Sequence, residues 1–177
     1  MGILVGFAPW IIFGILVGHD KMLEASSIAL IATLAGIAGD VRKGRSVKVL
    51  TAGTFIFFLA FAVATFFVSH ALLGRWANLM SNAALAAITL VSIVIRKPFT
   101  MQYARESVPK EYWDTPQFLR ANLVITWVWL AAFAVNTASS ALRAIIPDIW
   151  SGASWAVSIC TFVGAMKFTK WYSGGRS

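Results

Sequence analysis

Six long apolar runs alternate with short polar connections along the chain, at about residues 3–18, 22–39, 47–69, 76–95, 119–142 and 149–168. A helix rising 1.5 Å per residue needs about 20 residues to cross a ~30 Å hydrocarbon core. The third to sixth runs reach that length. The first falls short, at about 24 Å by the same rise, with Pro9 inside it and Gly2, Gly6, Gly14 and Gly18 in or beside it. It is expected to tilt little, thin the bilayer or unwind in part. No basic residue precedes it, and Gly18-His19-Asp20 is not a small-x-small cleavage site, so it reads as a retained span. The connections at 19–21, 74–75 and 146–148 allow little beyond a turn, which makes sequential helices antiparallel neighbours. The pattern predicts an all-α, polytopic membrane bundle of six transmembrane helices. It forms one integral domain over 1–177, with a single amphipathic cytoplasmic elbow.

Basic residues are shared unevenly among the connections. Arg42, Lys43, Arg45 and Lys48 fill the second, and Arg96, Lys97, Arg105, Lys110 and Arg120 the fourth. Lys167, Lys170 and Arg176 lie at the C-terminal end, whereas the other three connections hold only Lys21, Arg75 and Arg143. This positive-inside alternation predicts both termini in the cytoplasm. Charged residues make up 12% of the chain, about half the share of a soluble domain. The net charge of +8 raises nucleic acid as a partner. No basic cluster falls in a compact polar domain, however, and the excess charge lies where anionic headgroups would meet it. Membrane lipids are the expected partner, and nucleic acid is not.

The longest connection, residues 96–121, has chemistry of its own. Pro98 ends the fourth run; Phe99 and Tyr103 stand at i and i+4, with Gln102, Arg105 and Glu106 on other faces, as in a short helix lying on a membrane surface. Tyr112 and Trp113 follow Pro109 and suit headgroup depth. Thr115-Pro116 reads as an N-cap with proline at the first helical position. Arg96, Lys97, Pro98, Arg105, Tyr112 and Trp113 are therefore the candidate residues of an ordered elbow that meets lipid or a protein partner.

Weakly polar residues recur inside the runs with a 3.5-residue period, which places each set on one helix face. The fourth run carries Asn78, Asn82, Leu85, Thr89 and Ser92; the fifth carries Asn122, Thr126, Trp129, Phe133, Asn136 and Ser140. Ser26, Thr33 and Asp40 stand seven apart in the second. These stripes serve as helix–helix contacts or line a polar path between the fourth and fifth runs. Asn82, Thr89, Asn122, Thr126 and Asn136 form that candidate polar interior. No Asp, Glu, Lys or Arg lies deep in any run, which argues against a proton pump or a charge-driven exchanger.

Little else carries chemistry. His19 and His70, even with Asp20 and Asp148, make a poor metal set. Cys160, alone in an apolar run, reads as a small buried residue. No nucleophile–base order, phosphate loop or zinc helix motif is present, so no catalysis and no cofactor are expected.

The layout resembles the YciB-type family of bacterial inner membrane proteins, intracellular septation protein A. The resemblance rests on Phe7-Ala8-Pro9 in the first run, Asp20 in the first turn, and the basic stretch from Arg42 to Lys48. It also rests on Trp76 before the fourth span, Arg96-Lys97-Pro98 at its end, and Asn122 followed by Trp127. It spans nearly the whole length. The chain departs from the pattern at Trp113, which stands nine residues before Asn122, and in the acidic and lysine residues missing around Trp76. The resemblance implies a multi-pass protein of the bacterial inner membrane that supports envelope integrity, elongation or septation. It would act through other inner membrane proteins, the elongation or division machinery among them, and without an enzymatic reaction. The polar stripes imply a different class: a small transporter, channel or lipid-handling protein. The two differ in one feature, since the second needs a cavity at mid-membrane depth.

Overall fold

Each apolar run forms a helix, the one open structure that satisfies its own backbone polar groups away from water. The computed structural model describes residues 2–17 and 21–174, the side chains of 2 and 147–151 excepted. It is 85% helical, with α1 (Gly2–Val17), α2 (Met22–Arg42), α3 (Val49–Ala64), α4 (His70–Val94), α5 (Phe99–Ala104), α6 (Pro116–Ile145) and α7 (Pro147–Gly174). A 3-10 turn covers Lys110–Tyr112, and no strand occurs among the described residues.

Among the described residues, three helices, α2, α4 and α6, are long and apolar enough to cross a membrane. That is fewer than the six spans read from the sequence. α1 and α3 have 16 residues each, or about 24 Å. α1 stays helical through Pro9. α3 stops five residues short of the expected 69. There Thr65 returns its hydroxyl to the Ala62 carbonyl (2.7 Å), and the exposed Phe66 and Phe67 turn away.

Two helix ends use the same closure. After α2, Arg45 N–H donates to the Asp40 carbonyl and Gly44 N–H to that of Val41. This is a Schellman turn, and Gly44 occupies its left-handed position at φ +65°. After α4, Lys97 and Arg96 donate to Ser92 and Ile93, but the left-handed residue is Arg96 itself, at φ +57°. A side chain there costs about 1 kcal/mol or more. At the start of α6, Thr115 Oγ1 accepts from Phe118 N–H (3.3 Å), with Pro116 at the first helical position.

Aromatic rings hold the bundle together around α1. Phe7 stacks on Trp129 of α6 (5.0 Å) and meets Phe99 of α5 (6.1 Å), Phe133 (5.9 Å) and Phe162 of α7 (5.8 Å). On its other side, Trp10 and Phe13 pack on Phe57, Phe58 and Phe61 of α3 at 4.9–6.4 Å. Trp129, wholly buried, donates its indole N–H to Thr169 (3.1 Å). Each such ring pair adds about 0.5–1.5 kcal/mol beyond its buried area.

The connections sort by charge. Arg45, between α2 and α3, pairs with Glu106, between α4 and α6, at 3.0 Å. The two strongly basic connections therefore share one end of the bundle. Arg75, near the start of α4, donates to the Ala144 carbonyl near the end of α6 (2.9 Å), so two sparsely charged connections meet at the other.

Candidate functional site

The expected elbow is ordered, but it does not lie flat with Phe99 and Tyr103 turned outward. Phe99, Thr100, Met101 and Tyr103 of α5 are all buried in the bundle. Polar contacts draw the helix inward. Thr100 Oγ1 lies 2.9 Å from the Asn122 carbonyl, to which it donates, and 2.7 Å from Thr126 Oγ1. Ser92 Oγ accepts from Phe99 N–H (3.2 Å), and Gln102 Oε1 accepts the first amide of α3, Val49 N–H (2.8 Å). Of the elbow candidates, Pro98 is buried, whereas Arg96, Lys97 and Tyr112 are exposed. Trp113 is half-buried; its indole donates to Val108 O (2.9 Å), and the Arg105 guanidinium lies 5.1 Å over its ring.

Docking α5 against the α2–α3 connection assembles an ion cluster that no sequence motif announced. Lys48, at the N-cap of α3, reaches both Asp40 oxygens (2.8 and 2.7 Å) and Glu106 Oε1 (2.8 Å). Its side chain is only 9% exposed. Burial alone would lower the Lys48 pKa, but the bonds to Asp40 and Glu106 outweigh it, and the ammonium is held above its ordinary value. Tyr103 lies against Gly6, where an added Cβ would collide with the phenol. Its hydroxyl is buried. Burial raises the Tyr103 pKa, and Thr51 and Lys48 pull it back only in part. The one signal of this cluster in the sequence was the Ser26–Thr33–Asp40 stripe, which aims Asp40 at the same side as the buried Ser26 and Thr33.

A groove of about 460 Å³ opens from the cluster and runs beside Thr33 and Thr54, between α1, α2 and α3. Next to it lies a basin of about 600 Å³ between the α2–α3 connection and the elbow. Both hollows are lined by Lys43, Arg45, Lys48 and Glu106.

The polar interior of α4 and α6 divides in two. Thr89, Asn122 and Thr126 are buried near the strongly basic end, with Thr126 donating to Asn122 O (2.8 Å). Asn82 and Asn136 belong to the other half. Asn82 Nδ2 lies 3.3 Å from Ser140 Oγ. Asn136 Nδ2 donates to Ala132 O (2.9 Å) and Thr161 Oγ1 (2.8 Å), while its Oδ1 is buried with no partner. The rings of Phe7, Phe99 and Trp129, all buried, fill the space between the halves.

Asn82 and Asn136 line an open-sided cavity of about 410 Å³ among α1, α4, α6 and α7, whose apolar walls include the rings of Phe7, Trp10, Phe133, Trp155 and Phe162. Asn78 lines both this cavity and a hollow of about 420 Å³ flanked by Arg75 and Arg143. The arrangement suits a molecule with an apolar body and a hydrogen-bonding group. A buried amide oxygen left unmatched costs about 1–3 kcal/mol, and a donor from a guest would recover that.

Cys160 lies exposed on the outer side of α7, not packed inside. α7 packs on α6, and its Phe162 meets Phe7 of α1. His19 and Asp20, with the side chains of Asp148 and Ser151, lie outside the described residues. Among the described residues, no three His, Cys, Asp or Glu side chains are grouped to hold a metal. Comparison with protein-family models, curated proteins and solved structures finds no match to this chain.

Proposed function

We propose that the chain is a non-enzymatic, multi-pass protein of the bacterial inner membrane that handles lipid or a similar amphipathic molecule. Six helices cross the bilayer, with both termini cytoplasmic. What supports this topology is the alternation of basic connections, together with the pairing of Arg45 with Glu106 at one end and of Arg75 with Ala144 at the other. α1 and α3 are short and cross with local thinning of the bilayer.

The observation that carries the function is the aromatic cavity with the unpartnered Asn136 oxygen in its lining residue. Its apolar walls accept a hydrocarbon body, and the way past Asn78 toward Arg75 and Arg143 accepts a polar head. The aromatic plug of Phe7, Phe99 and Trp129 favours a binding pocket over an open channel. A lipid-handling role is compatible with the envelope maintenance and septation that the YciB-type resemblance implies. Contacts with other inner membrane proteins would then deliver or receive the bound molecule.

Two experiments test this. Reporter fusions at 72 and 177 should place those positions outside and inside; an external 177 refutes the topology. Asn136→Leu keeps the apolar volume and removes the amide. Loaded with a fluorescent fatty acid, the purified variant should melt as the parent does but retain several-fold less of it than the parent. Equal retention by both proteins refutes the role of the cavity.

A further inference from the structure

The basin and groove at the strongly basic end share no lining residue with the aromatic cavity, and the proposed function does not use them. Lys43, Arg45, Arg105 and Lys110 surround the basin's roughly 600 Å³, with Glu106 as the one carboxylate in its lining. That carboxylate is already engaged by Lys48 (2.8 Å) and Arg45 (3.0 Å). Among the described residues, Lys43, Arg105 and Lys110 form no ion pair. The Arg105 Nε–H is buried with no acceptor, although stacking on Trp113 at 5.1 Å holds the guanidinium in place. An unmatched buried donor on a cation is costly, and an anion bridging Arg105 to Lys43 and Lys110 would relieve it with charge-assisted bonds.

We infer that this basin binds the phosphate headgroup of an anionic phospholipid, with one acyl chain lying in the adjoining groove. The groove is what selects a lipid over a free phosphate. It is continuous with the basin through their shared lining, holds about 460 Å³, and has a wall of Ala32, Ala35, Gly36 and Gly39 on α2. A Cβ built at Gly36 or Gly39 meets nothing within 4 Å, so that wall is open. Neither feature alone requires a lipid; a cationic basin opening onto a small-residue groove matches a phosphate joined to a chain. The inference rests on the membrane-embedded reading above, but not on the aromatic cavity.

The test uses the full-length protein, first shown by alkaline extraction of vesicles to be membrane-embedded. Extraction into the supernatant refutes the embedded reading itself. The delipidated protein in detergent is then titrated with phosphatidylglycerol or phosphatidylcholine, and adducts are counted by native mass spectrometry. One phosphatidylglycerol should bind at least tenfold tighter than phosphatidylcholine. Arg105→Gln with Lys110→Gln should weaken phosphatidylglycerol at least fivefold and leave phosphatidylcholine unchanged. If that pair does not fold, the exposed Lys43→Gln takes its place. Gly36→Leu, which enters open space, should fold normally and also weaken phosphatidylglycerol at least fivefold. Asn136→Leu should not alter this binding. Equal affinity for the two lipids, or no effect of the basin variants, overturns the inference. Displacement of phosphatidylglycerol by millimolar inorganic phosphate, with Gly36→Leu silent, also overturns it in favour of a soluble-phosphate site.

Discussion

Replacing Lys48 by Met keeps much of the side chain's length and removes its charge. Lys48 Nζ sits 2.7–2.8 Å from two carboxylates, and the side chains of Lys48, Asp40 and Glu106 are 9%, 13% and 23% exposed. At an effective dielectric of about 20, unit charges 4 Å apart attract by about 4 kcal/mol. Desolvating the three groups offsets most of that, so the intact cluster has a small net effect on stability. Breaking it is different. Removing the ammonium leaves two largely buried carboxylates facing each other, a loss of about 3–5 kcal/mol for a fully buried pair. Glu106 keeps some water and Arg45, so the lower figure applies, about 3 kcal/mol. For a chain of this size that lowers Tm by roughly 6–12 °C. Near-UV circular dichroism melting of the purified protein at pH 7 reads this, and Asp40→Asn completes a double-mutant cycle with a coupling of about 1–3 kcal/mol. The raised Lys48 pKa adds a pH signature. Its contribution is complete below the ordinary lysine value of 10.5 and is lost as pH rises through the higher folded value. The parent should lose stability in that alkaline window, and Lys48→Met should lose less. The raised Tyr103 pKa leaves a residual loss in the same direction. A Tm change under 1 °C, or additive single effects, would refute the coupling of the cluster.

Other consequences are separable. Arg96→Gly removes a side chain from φ +57° and should raise Tm by about 2–4 °C, for about 1 kcal/mol of relieved strain; a fall would show that the Arg96 side chain stabilises the turn. Gly6→Ala places a methyl group against Tyr103 and should cost about 1–3 kcal/mol, with Tyr103→Phe in the same protein recovering part of it; an unchanged melting curve counts against the close approach. Trp129→Ala opens the plug beside Phe7 and Phe99 and should cost about 3–5 kcal/mol. The same variant in proteoliposomes should raise leakage of a small dye, and a tight vesicle would mean the seal lies elsewhere.

Helix existence was legible because apolar runs bounded by charges have few alternatives, and the Thr115-Pro116 start of α6 was legible because capping is local. The interior placement of Thr89, Asn122, Thr126 and Asn136 followed from period alone. What escaped was non-local. The i, i+4 pair Phe99 and Tyr103 reads equally well as a lipid-facing stripe or as a wedge into the bundle. Only the partners 22 to 53 residues away, Asn122, Thr126 and Val49, decide for the wedge. Lys48 looked like one more cation of a solvated connection, because nothing nearby in sequence says that Glu106 will reach it. The end of α3 escaped as well, since Phe66 and Phe67 are as apolar as the helix they leave.

The aromatic cavity and the basin differ in a way that bears on what the molecule can do. The cavity beside Asn136 is walled by side chains from four helices. The basin is walled by the α2–α3 connection and the elbow, which are joined across it by Arg45–Glu106 and Lys48–Glu106. An anion held by Arg105, Lys43 and Lys110 also meets Arg45, which lines the basin and pairs with Glu106, so the two acceptors compete for that guanidinium. Weakening those pairs loosens the elbow, and with it α5, whose Phe99 is one face of the plug. Occupancy of the basin and closure of the plug are therefore linked through one short helix, and linkage is reciprocal. A molecule that fills the aromatic cavity and tightens Phe7 against Phe99 should strengthen the Glu106 pairs and weaken anion binding. The sign follows from Glu106 acting as the resident anion. In Glu106→Gln the competition disappears, so phosphatidylglycerol should bind several-fold tighter, and cavity occupancy should no longer affect it. Weaker binding by Glu106→Gln would mean that the carboxylate organises the basin instead of competing within it, and the proposed coupling would fail.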